Sequence, residues 1–206
     1  MLLYRIAKAD YIEDISGTGG LYGPARWHQK GTRILYTSTS EPLARLEVLA
    51  NYVLIPPNMK LLTLETDELP FERIQVKDLP PNWKQFDPYP PELAQIALEW
   101  LQSNKTLGLM VPSIQSLVDQ NMLINPMHPL HHRLRIVSVT DVDIDPRIKR
   151  GTTRYTVQLG DTLASIATRF YQDTKRGRLI LEANRDQLTS PGKLTPGMVL
   201  SIPSLN

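Results

Sequence analysis

The sequence predicts an α+β protein of two domains, a larger mixed-sheet domain followed by a small βααβ domain. Strand-like and helix-like periodicities alternate irregularly along residues 1–148, which favours a mixed sheet with packed helices. A basic stretch interrupted by Pro and Gly follows and predicts a linker at 149–153. Residues 154–204 then carry two strand patterns around two helix patterns. A chain of 206 residues is long enough for one medium-sized domain and one small one.

Composition excludes several classes of protein. With 41% apolar and 21% charged residues, the chain is typical of soluble globular proteins. It has no apolar run near the roughly 20 residues of a membrane span and no signal-peptide pattern, so we expect no membrane insertion and a cytoplasmic location. The absence of cysteine excludes disulfides and thiolate chemistry. A net charge of +2 is too small to predict direct nucleic-acid binding.

A strand followed by a helix is predicted near the start of the larger domain. The strand covers residues 34–40, ILYTSTS, and the helix runs over residues 41–54, EPLARLEVLANYVL. Pro42 lies in the first helical turn, where a missing N–H costs no hydrogen bond. Helical spacing predicts one buried apolar stripe, made of Leu43, Leu46, Leu49 and Ala50. Glu47 lies at the edge of that stripe, where a carboxylate normally faces solvent or pairs with a cation.

Further elements complete the larger domain. Strands are predicted over 60–66 and 134–144, with a helix over 90–104 between them. That helix has one apolar face, made of Leu93, Ile96, Ala97, Trp100 and Leu101. The buried run LMVPS ends in Pro112-Ser113, and Asn121 and Asn125 are expected to shape a turn after it.

The tail predicts strand, helix, helix and strand in that order. RYTVQ at 154–158 favours a strand, and Asp161 or Thr162 can cap the helix that follows. The two helices are predicted from the apolar spacing in LASIATRF and GRLILEANRD, and LTPGMVLSIP at 194–203 supplies a turn and the second strand.

These tail motifs, YTVQLGDTLASIATRFY, ILEANRD and KLTPGMVLSIP, resemble a LysM module over nearly all of 154–203. The resemblance implies a shallow groove that binds glycans containing N-acetylglucosamine. The matching positions are Gly160, Asp161, Thr162, Leu163, Leu194 and Pro196. The residues themselves leave another interpretation open, in which Asp161 caps a helix and Pro196 makes a turn. With 7 Lys/Arg against 4 Asp/Glu in 151–206, docking to an acidic surface is a further alternative.

A second resemblance covers almost all of residues 1–148. The chain is similar to the RES family in these segments, taken in order: RW at 26–27, Tyr36, LARLEVL at 43–49, LPPNW at 79–83, ALEWL at 97–101, MVPS at 110–113, NMLINPMHP at 121–129 and DIDPRI at 143–148. The resemblance implies a fold like that of ADP-ribosyltransferases and NAD as the substrate. It also implies the toxin role of a bacterial toxin–antitoxin pair, with an Xre-like antitoxin as protein partner.

Carried over position by position, the family's arginine, glutamate and serine are Arg26, Glu47 and Ser113. Tyr36 corresponds to the aromatic residue at the nicotinamide end, and Trp27 and Arg5 are further candidates for the NAD site. One departure stands out: the family's Gly-Gly-Arg-Trp-Asn is replaced by PARWH at 24–28, which removes two glycines and their freedom to adopt positive φ.

These residue types suit cleavage of the bond between nicotinamide and ribose. The sugar becomes oxocarbenium-like as the bond breaks, and a carboxylate such as Glu47 stabilises that positive charge. The guanidinium of Arg26, helped by Arg5 or Arg33, matches a pyrophosphate better than an ammonium does. The ring of Tyr36 offers a stacking surface, and Ser113 can donate or accept one hydrogen bond.

Several alternatives remain at this level. Each residue has an ordinary structural role open to it: Arg26 as a surface ion pair, Trp27 as core, Tyr36 as a strand aromatic. The histidines in NPMHPLHHR lack a fourth ligand at metal spacing, so no metal is predicted. The acceptor of the ADP-ribosyl group, whether water, phosphate or protein, stays open. A catalytically weak scaffold with a binding LysM module, and a delivered toxin that uses LysM as a docking adaptor, are the competing hypotheses.

Overall fold

The structure is a computed structural model, and it describes residues 1–52, 56, 58–67, 70–86, 88–143, 152–185, 187–188 and 194–203. The chain forms two compact units. The larger comprises Met1–Ala50 and Pro56–Val142, and most of the smaller lies within Asp143–Asn206. None of the described helices is long and apolar enough to cross a bilayer.

A seven-stranded mixed sheet organises the larger unit. Its strands are β1 (Leu2–Lys8), β2 (Leu35–Ser38), β3 (Met59–Glu65), β4 (Phe71–Arg73), β5 (Gly108–Pro112), β6 (Gln120–Ile124) and β7 (Arg135–Asp141). They lie in the order β4-β5-β6-β2-β1-β3-β7. The β4–β5 pair is parallel and the other neighbouring pairs are antiparallel.

Side-chain alternation divides the apolar residues of the sheet between two clusters. On β5 and β6, Met110 and Met122 belong to one cluster, while Leu109 and Leu123 belong to the other. The second cluster also takes in Trp27, Trp83, Leu93 and Trp100, and Tyr36 packs against it. Residues that share the alternation of Tyr36 and Leu123 therefore point to the face of the sheet that this cluster covers.

Two helices accompany the sheet, α1 (Glu41–Asn51) and α2 (Pro91–Ser103). The start of α1 is fixed by Ser40, whose Oγ accepts a hydrogen bond of 3.3 Å from the N–H of Leu43. Helix α2 begins at a proline and ends at Asn104, which adopts a left-handed conformation with φ 48°. Both helices start where the sequence predicts.

The buried stripe predicted for α1 is partly wrong. The buried residues are Leu43, Ala44 and Val48, whereas Leu46 is 41% exposed. The buried face is thus rotated relative to the predicted one, because Ala44 and Val48 lie on it in place of Leu46. Glu47 lies three residues after Ala44 and next to Val48, so the helix carries its carboxylate on the inward side.

The predicted turn at Asn121 is also wrong. Asn121 lies in β6, where its Cα pairs with Ser38 of β2 and with Val111 of β5. A strand forms there because Met122, Leu123 and Ile124 are all buried between the two layers of core. The turn lies later, where the side chain of Asn125 accepts from the N–H of Met127.

The smaller unit has the predicted strand–helix–helix–strand order. Its elements are β8 (Thr152–Thr156), α3 (Leu163–Tyr171), α4 (Gly177–Ala183) and β9 (Val199–Pro203), with β8 and β9 antiparallel. Thr162 caps α3 through a reciprocal capping box with Ser165. Of the predicted linker, residues 149–151 lie outside the described residues, and Thr152 already belongs to β8.

Candidate active site

The carboxylate of Glu47 is held by two side chains from the sheet. Ser113 Oγ donates a hydrogen bond of 2.7 Å to Glu47 Oε1, and Asn121 Nδ2 donates one of 2.6 Å to the same oxygen. Ser113 directly follows β5, and Asn121 lies on β6, so neighbouring strands supply the two donors. Two donors on one oxygen fix the orientation of the carboxylate.

A second layer of bonds fixes these donors. Ser38 Oγ donates to Asn121 Oδ1 at 2.8 Å, which orients the amide so that its NH₂ group faces Glu47. Ser113 Oγ accepts from the N–H of Gln115 at 2.9 Å, which fixes the turn after β5. Both serines are buried, with 4% and 7% of their surface exposed. The carboxylate therefore sits in a preorganised network.

Arg26 lies near this network and is anchored to the loop before α2. Its Nη1 donates to the carbonyls of Trp83 and Gln85, and its guanidinium stacks 5.0 Å from the ring centroid of Tyr89. Burial lowers the pKa of Arg26, while Tyr89, Glu47 and Tyr36 raise it in that order. Because the charge of Glu47 acts on Arg26, the predicted cation and carboxylate share one electrostatic neighbourhood.

Tyr36 connects the strand β2 to the loop that carries Arg26. Its hydroxyl accepts from the N–H of Trp27 at 3.2 Å and lies 2.8 Å from Nδ1 of His28. Burial strongly raises the pKa of Tyr36, so the hydroxyl keeps its proton. The half-buried ring packs against the core cluster and is held in one orientation.

Two residues predicted for the NAD site have other positions. Trp27 is 3% exposed and packs within the core, and its backbone N–H donates to the hydroxyl of Tyr36. Arg5 Nη1 donates to the carbonyls of Tyr11, Ile12 and Asp14, and so holds the turn after β1. Burial lowers the pKa of Arg5 and Asp14 opposes this shift. The structure brings together Arg26, Tyr36, Glu47 and Ser113, but not these two side chains.

The structure adds Asn121 and Tyr89 to the candidate site. The sequence contains a signal for a special role of Asn121. Asparagine is disfavoured in strands, yet Asn121 directly precedes the apolar run Met122-Leu123-Ile124. Tyr89 lies in the irregular segment DPYPP, where no periodicity indicates the direction of a side chain.

The residues predicted to bind glycan lie on two neighbouring turns of the smaller unit. Backbone hydrogen bonds join Val157 to Gly197 and Met198, which brings the segment before α3 next to the turn that contains Pro196. Gly160 adopts φ +90° there. Asp161 accepts from the hydroxyl of Tyr155 at 2.6 Å and from the N–H of Gln158 at 2.8 Å, so it also stabilises its own turn.

Among these positions, exposure separates surface from core. Leu163 is 7% exposed and belongs to the core of the unit, and Thr162 caps α3. Leu194 is half-buried, whereas Pro196 is exposed. Leu159, at the tip of the first turn, is 91% exposed.

The three histidines near β7 make hydrogen bonds to the backbone. His128 Nδ1 accepts from the N–H of Leu130, His131 Nε2 donates to the carbonyl of Ile15, and His132 Nδ1 donates to that of Pro129. In the part of the chain that the structure describes, there is no group of three or more potential metal-ligating side chains.

Fold and site together define a two-domain protein in which a mixed sheet presents an Arg–Glu–Ser cluster and a βααβ unit follows. The profile of the RES domain family matches residues 2–147, and that of the LysM domain matches residues 155–203. The chain belongs to the RES domain family and carries a LysM domain, which confirms both resemblances and the predicted fold class.

Relatives agree with this assignment. Toxin Res of Yersinia enterocolitica is 33% identical over 153 residues, which are 72% of this chain and 100% of that protein. The Prs ADP-ribosylating toxin of a Sphingobium species is 32% identical over 151 residues, 70% of this chain and 92% of that protein. The M. tuberculosis MbcT-MbcA toxin-antitoxin complex contains a similar fold, with a TM-score of 0.55, 15% identity, and coverage of 68% of this chain and 83% of that one.

Proposed function

We propose that the chain cleaves the bond between nicotinamide and ribose in NAD, with Glu47 as the charge-stabilising carboxylate. The observation that carries the proposal is the convergence of Ser113 and Asn121 on one oxygen of Glu47, within the electrostatic reach of Arg26. Membership of the RES family and a relative named as an ADP-ribosylating toxin support it.

The chemistry follows from the charge that develops during the reaction. When the C–N bond breaks, its electron pair goes to the ring nitrogen of nicotinamide, and C1′ of the ribose becomes oxocarbenium-like. A carboxylate already held in place stabilises this charge without reorganising. The acceptor, which can be water, phosphate or a protein side chain, then bonds to C1′ and loses its proton.

Arg26 would bind the pyrophosphate of NAD, and Tyr36 would bind its nicotinamide ring. Among the described residues, the hydrogen bonds of the Arg26 guanidinium use Nη1, so Nε and Nη2 can pair with a pyrophosphate oxygen each. The half-buried ring of Tyr36 can stack on nicotinamide. NAD enters this proposal as substrate, and the proposal requires no further cofactor.

We propose in addition that the activity is that of a toxin restrained by a protein antitoxin. Relatives with the names Toxin Res and Prs ADP-ribosylating toxin support the toxin role, and the fold is shared with a protein of a toxin-antitoxin complex. An Xre-like partner is the expectation from the family resemblance.

The direct test is release of nicotinamide from NAD by the purified full chain, with and without phosphate. We expect release by the wild type and a loss of at least about 100-fold in Glu47→Gln, the size typical for removal of one group that stabilises a transition state. Glu99→Gln, a matched change on the exposed side of α2, should keep wild-type activity.

A different result would separate the competing hypotheses. Absence of release from folded wild-type chain under every acceptor condition would contradict the enzyme and favour a binding scaffold. Equal activity of Glu47→Gln and Glu99→Gln would contradict the role of Glu47 but not the enzymatic activity itself.

For the smaller unit we propose binding to glycans that contain N-acetylglucosamine. The supporting observation is Leu159, an apolar side chain 91% exposed beside Gly160, one of the matching positions. Calorimetric titration of the full chain with an N-acetylglucosamine oligomer should show binding that Leu159→Ser weakens. Leu117→Ser, which changes a fully exposed leucine of the other unit, is the control, and equal binding by all three proteins would contradict the assignment.

A further inference from the structure

His28 lies on the loop that carries Arg26 and is buried against the strand that carries Tyr36. It is 6% exposed, and both ring nitrogens have partners. Nε2 lies 3.0 Å from the carbonyl of Gly23, and Nδ1 lies 2.8 Å from the hydroxyl of Tyr36. His28 is not one of the residues proposed to act on NAD. It can therefore affect the site only through its contacts with Gly23 and Tyr36.

The partners determine which nitrogen carries the proton. A carbonyl oxygen only accepts hydrogen bonds, so Nε2 must donate to Gly23. Burial lowers the pKa of His28, and the bond to Gly23 opposes this shift, so the ring is neutral near neutral pH. The remaining nitrogen, Nδ1, then accepts a hydrogen bond from the Tyr36 hydroxyl.

The hydroxyl of Tyr36 thus acts both as a hydrogen-bond donor and as an acceptor. It donates to His28 and accepts from the N–H of Trp27, the residue that directly follows Arg26. A single hydroxyl on β2 therefore connects two consecutive residues of the loop, 27 and 28, and fixes where the loop presents the guanidinium.

We propose that His28 is a positioning residue that couples the Arg26 loop to the Tyr36 ring, and that nicotinamide release depends on its neutral form. The inference rests on the proposed function, which it deepens. A protonated imidazole has no lone pair at Nδ1, so it can no longer accept from Tyr36. Its Nδ1–H can only donate to the Tyr36 oxygen, which already accepts from Trp27, and the Tyr36 hydroxyl proton loses its acceptor.

The neighbours of His28 determine whether a pH effect on this contact comes from His28 itself. Tyr36 on β2 is the titratable side chain in contact with it, and its own loop carries the charged residues Arg26, Lys30 and Arg33. The turn that packs on its other side, residues 18–21, has no titratable side chain, and Gly20 in that turn faces the imidazole.

Two substitutions separate the two ring nitrogens. In His28→Asn, the amide oxygen replaces Nδ1 and can accept from Tyr36, but the side chain does not titrate. In His28→Gln, the amide nitrogen replaces Nε2 and can donate to Gly23, but the acceptor for Tyr36 is lost. Each variant keeps one of the two contacts, so each is the control for the other.

The experiment measures kcat/KM for nicotinamide release from about pH 5 to about pH 8. For the wild type we expect a decrease as pH falls through the pKa of His28, which lies below the ordinary histidine value. His28→Asn should release nicotinamide as fast as the wild type at the upper end of the pH range. It should not show the decrease at low pH. His28→Gln should be about tenfold lower than His28→Asn at every pH, the size of one lost hydrogen bond that orients a binding group. An acid decrease that persists in His28→Asn, or equal activity of the two variants, would overturn the proposal.

A measurement independent of activity accompanies these assays. Nitrogen-15 NMR of the imidazole groups in the full-length wild type should show His28 as the neutral tautomer protonated at Nε2 near neutral pH. A tautomer protonated at Nδ1 would overturn the coupling even if the enzyme is active. If the wild type releases no nicotinamide, the proposed function fails, while the tautomer still decides whether His28 accepts from Tyr36.

Discussion

The side-chain amide of Asn121 lies 2.6 Å from Oε1 of Glu47, on the same oxygen that accepts from Ser113. The amide is itself oriented by Ser38, which occupies the paired position on β2. A polar chain therefore runs across the sheet from β2 through β6 to the carboxylate on α1. The geometry of Glu47 depends on strand pairing as much as on its own helix.

Removal of the Asn121 amide should impair catalysis without unfolding the chain. Asn121→Ala leaves Glu47 with one of its two donors, so we expect kcat/KM for nicotinamide release to fall by about 10-fold to 100-fold, the equivalent of one hydrogen bond to a charged group. The matched control is Asn82→Ala, at an exposed position. Activity of Asn121→Ala equal to that of the control would show that Ser113 alone is sufficient.

A methyl group at Gly20 should displace the loop around His28. A Cβ there would lie 2.1 Å from the carbonyl oxygen of Thr32 and 3.1 Å from Nε2 of His28. Gly20→Ala should therefore lower the free energy of unfolding by about 1–3 kcal/mol, the usual cost of overpacking, and reduce nicotinamide release.

The adjacent glycine provides the control for that change. A Cβ at Gly19 meets no atom within 4 Å, so Gly19→Ala should leave both properties close to wild type. Urea denaturation and the nicotinamide assay on both variants make the comparison. Equal destabilisation by the two substitutions would mean that chain stiffness, and not the contact with His28, determines the effect.

Asp14 should make the stability of the larger unit depend on acid. Hydrogen bonds from Ser16 and Thr18 hold the pKa of Asp14 below its ordinary value, with Arg5 contributing in the same direction. The folded state thus favours the ionised carboxyl, so this stabilisation is complete above the ordinary pKa and is lost as pH falls through the folded pKa.

The measurement is the free energy of unfolding as a function of pH in the acid range. Asp14→Asn should be less stable than wild type near neutrality and should show a shallower loss of stability on acidification. Asp10→Asn, an exposed carboxylate four residues earlier, is the control. Parallel pH curves for Asp14→Asn and wild type would contradict the role of Asp14.

In the smaller unit, Asn184 should contribute more stability than any surface residue near it. The side chain is 1% exposed, donates to the carbonyls of Ile180 and Ser201, and accepts from the N–H of Ser201. Asn184→Ala leaves these buried groups unpaired, so we expect a loss of about 2–4 kcal/mol. Amide hydrogen exchange in α4 and β9 should accelerate accordingly, but not in the exposed control Arg185→Ala. Unchanged protection in Asn184→Ala would mean that water replaces all three bonds.

The sequence was most informative where local rules decide the structure. Helix α1 begins at Glu41 as predicted, because an early proline is a local signal. The βααβ order of the tail follows from apolar periodicity and turn residues in the same way. Four of the candidate site residues, Arg26, Tyr36, Glu47 and Ser113, lie together as the family resemblance implies.

Contacts between residues that are far apart in the sequence cannot be predicted from these local rules. The inward direction of Glu47 depends on how α1 packs on the sheet, and periodicity alone favoured Leu46 for the buried face. Asparagine is common in turns, which predicts a turn at Asn121, whereas strand pairing with Ser38 fixes its position. The burial of Trp27 and the contact of Tyr89 with Arg26 likewise require the tertiary fold.

The position of β6 between β2 and β5 has a consequence for the order in which the protein is made. A ribosome that has translated as far as Ser113 has already produced Arg26, Tyr36 and Glu47, but not the strand that separates β2 from β5 in the finished sheet. The carboxylate can acquire both donors only after residue 124 has emerged from the exit tunnel. During synthesis the nascent chain therefore stays without a complete site for more than half of its length.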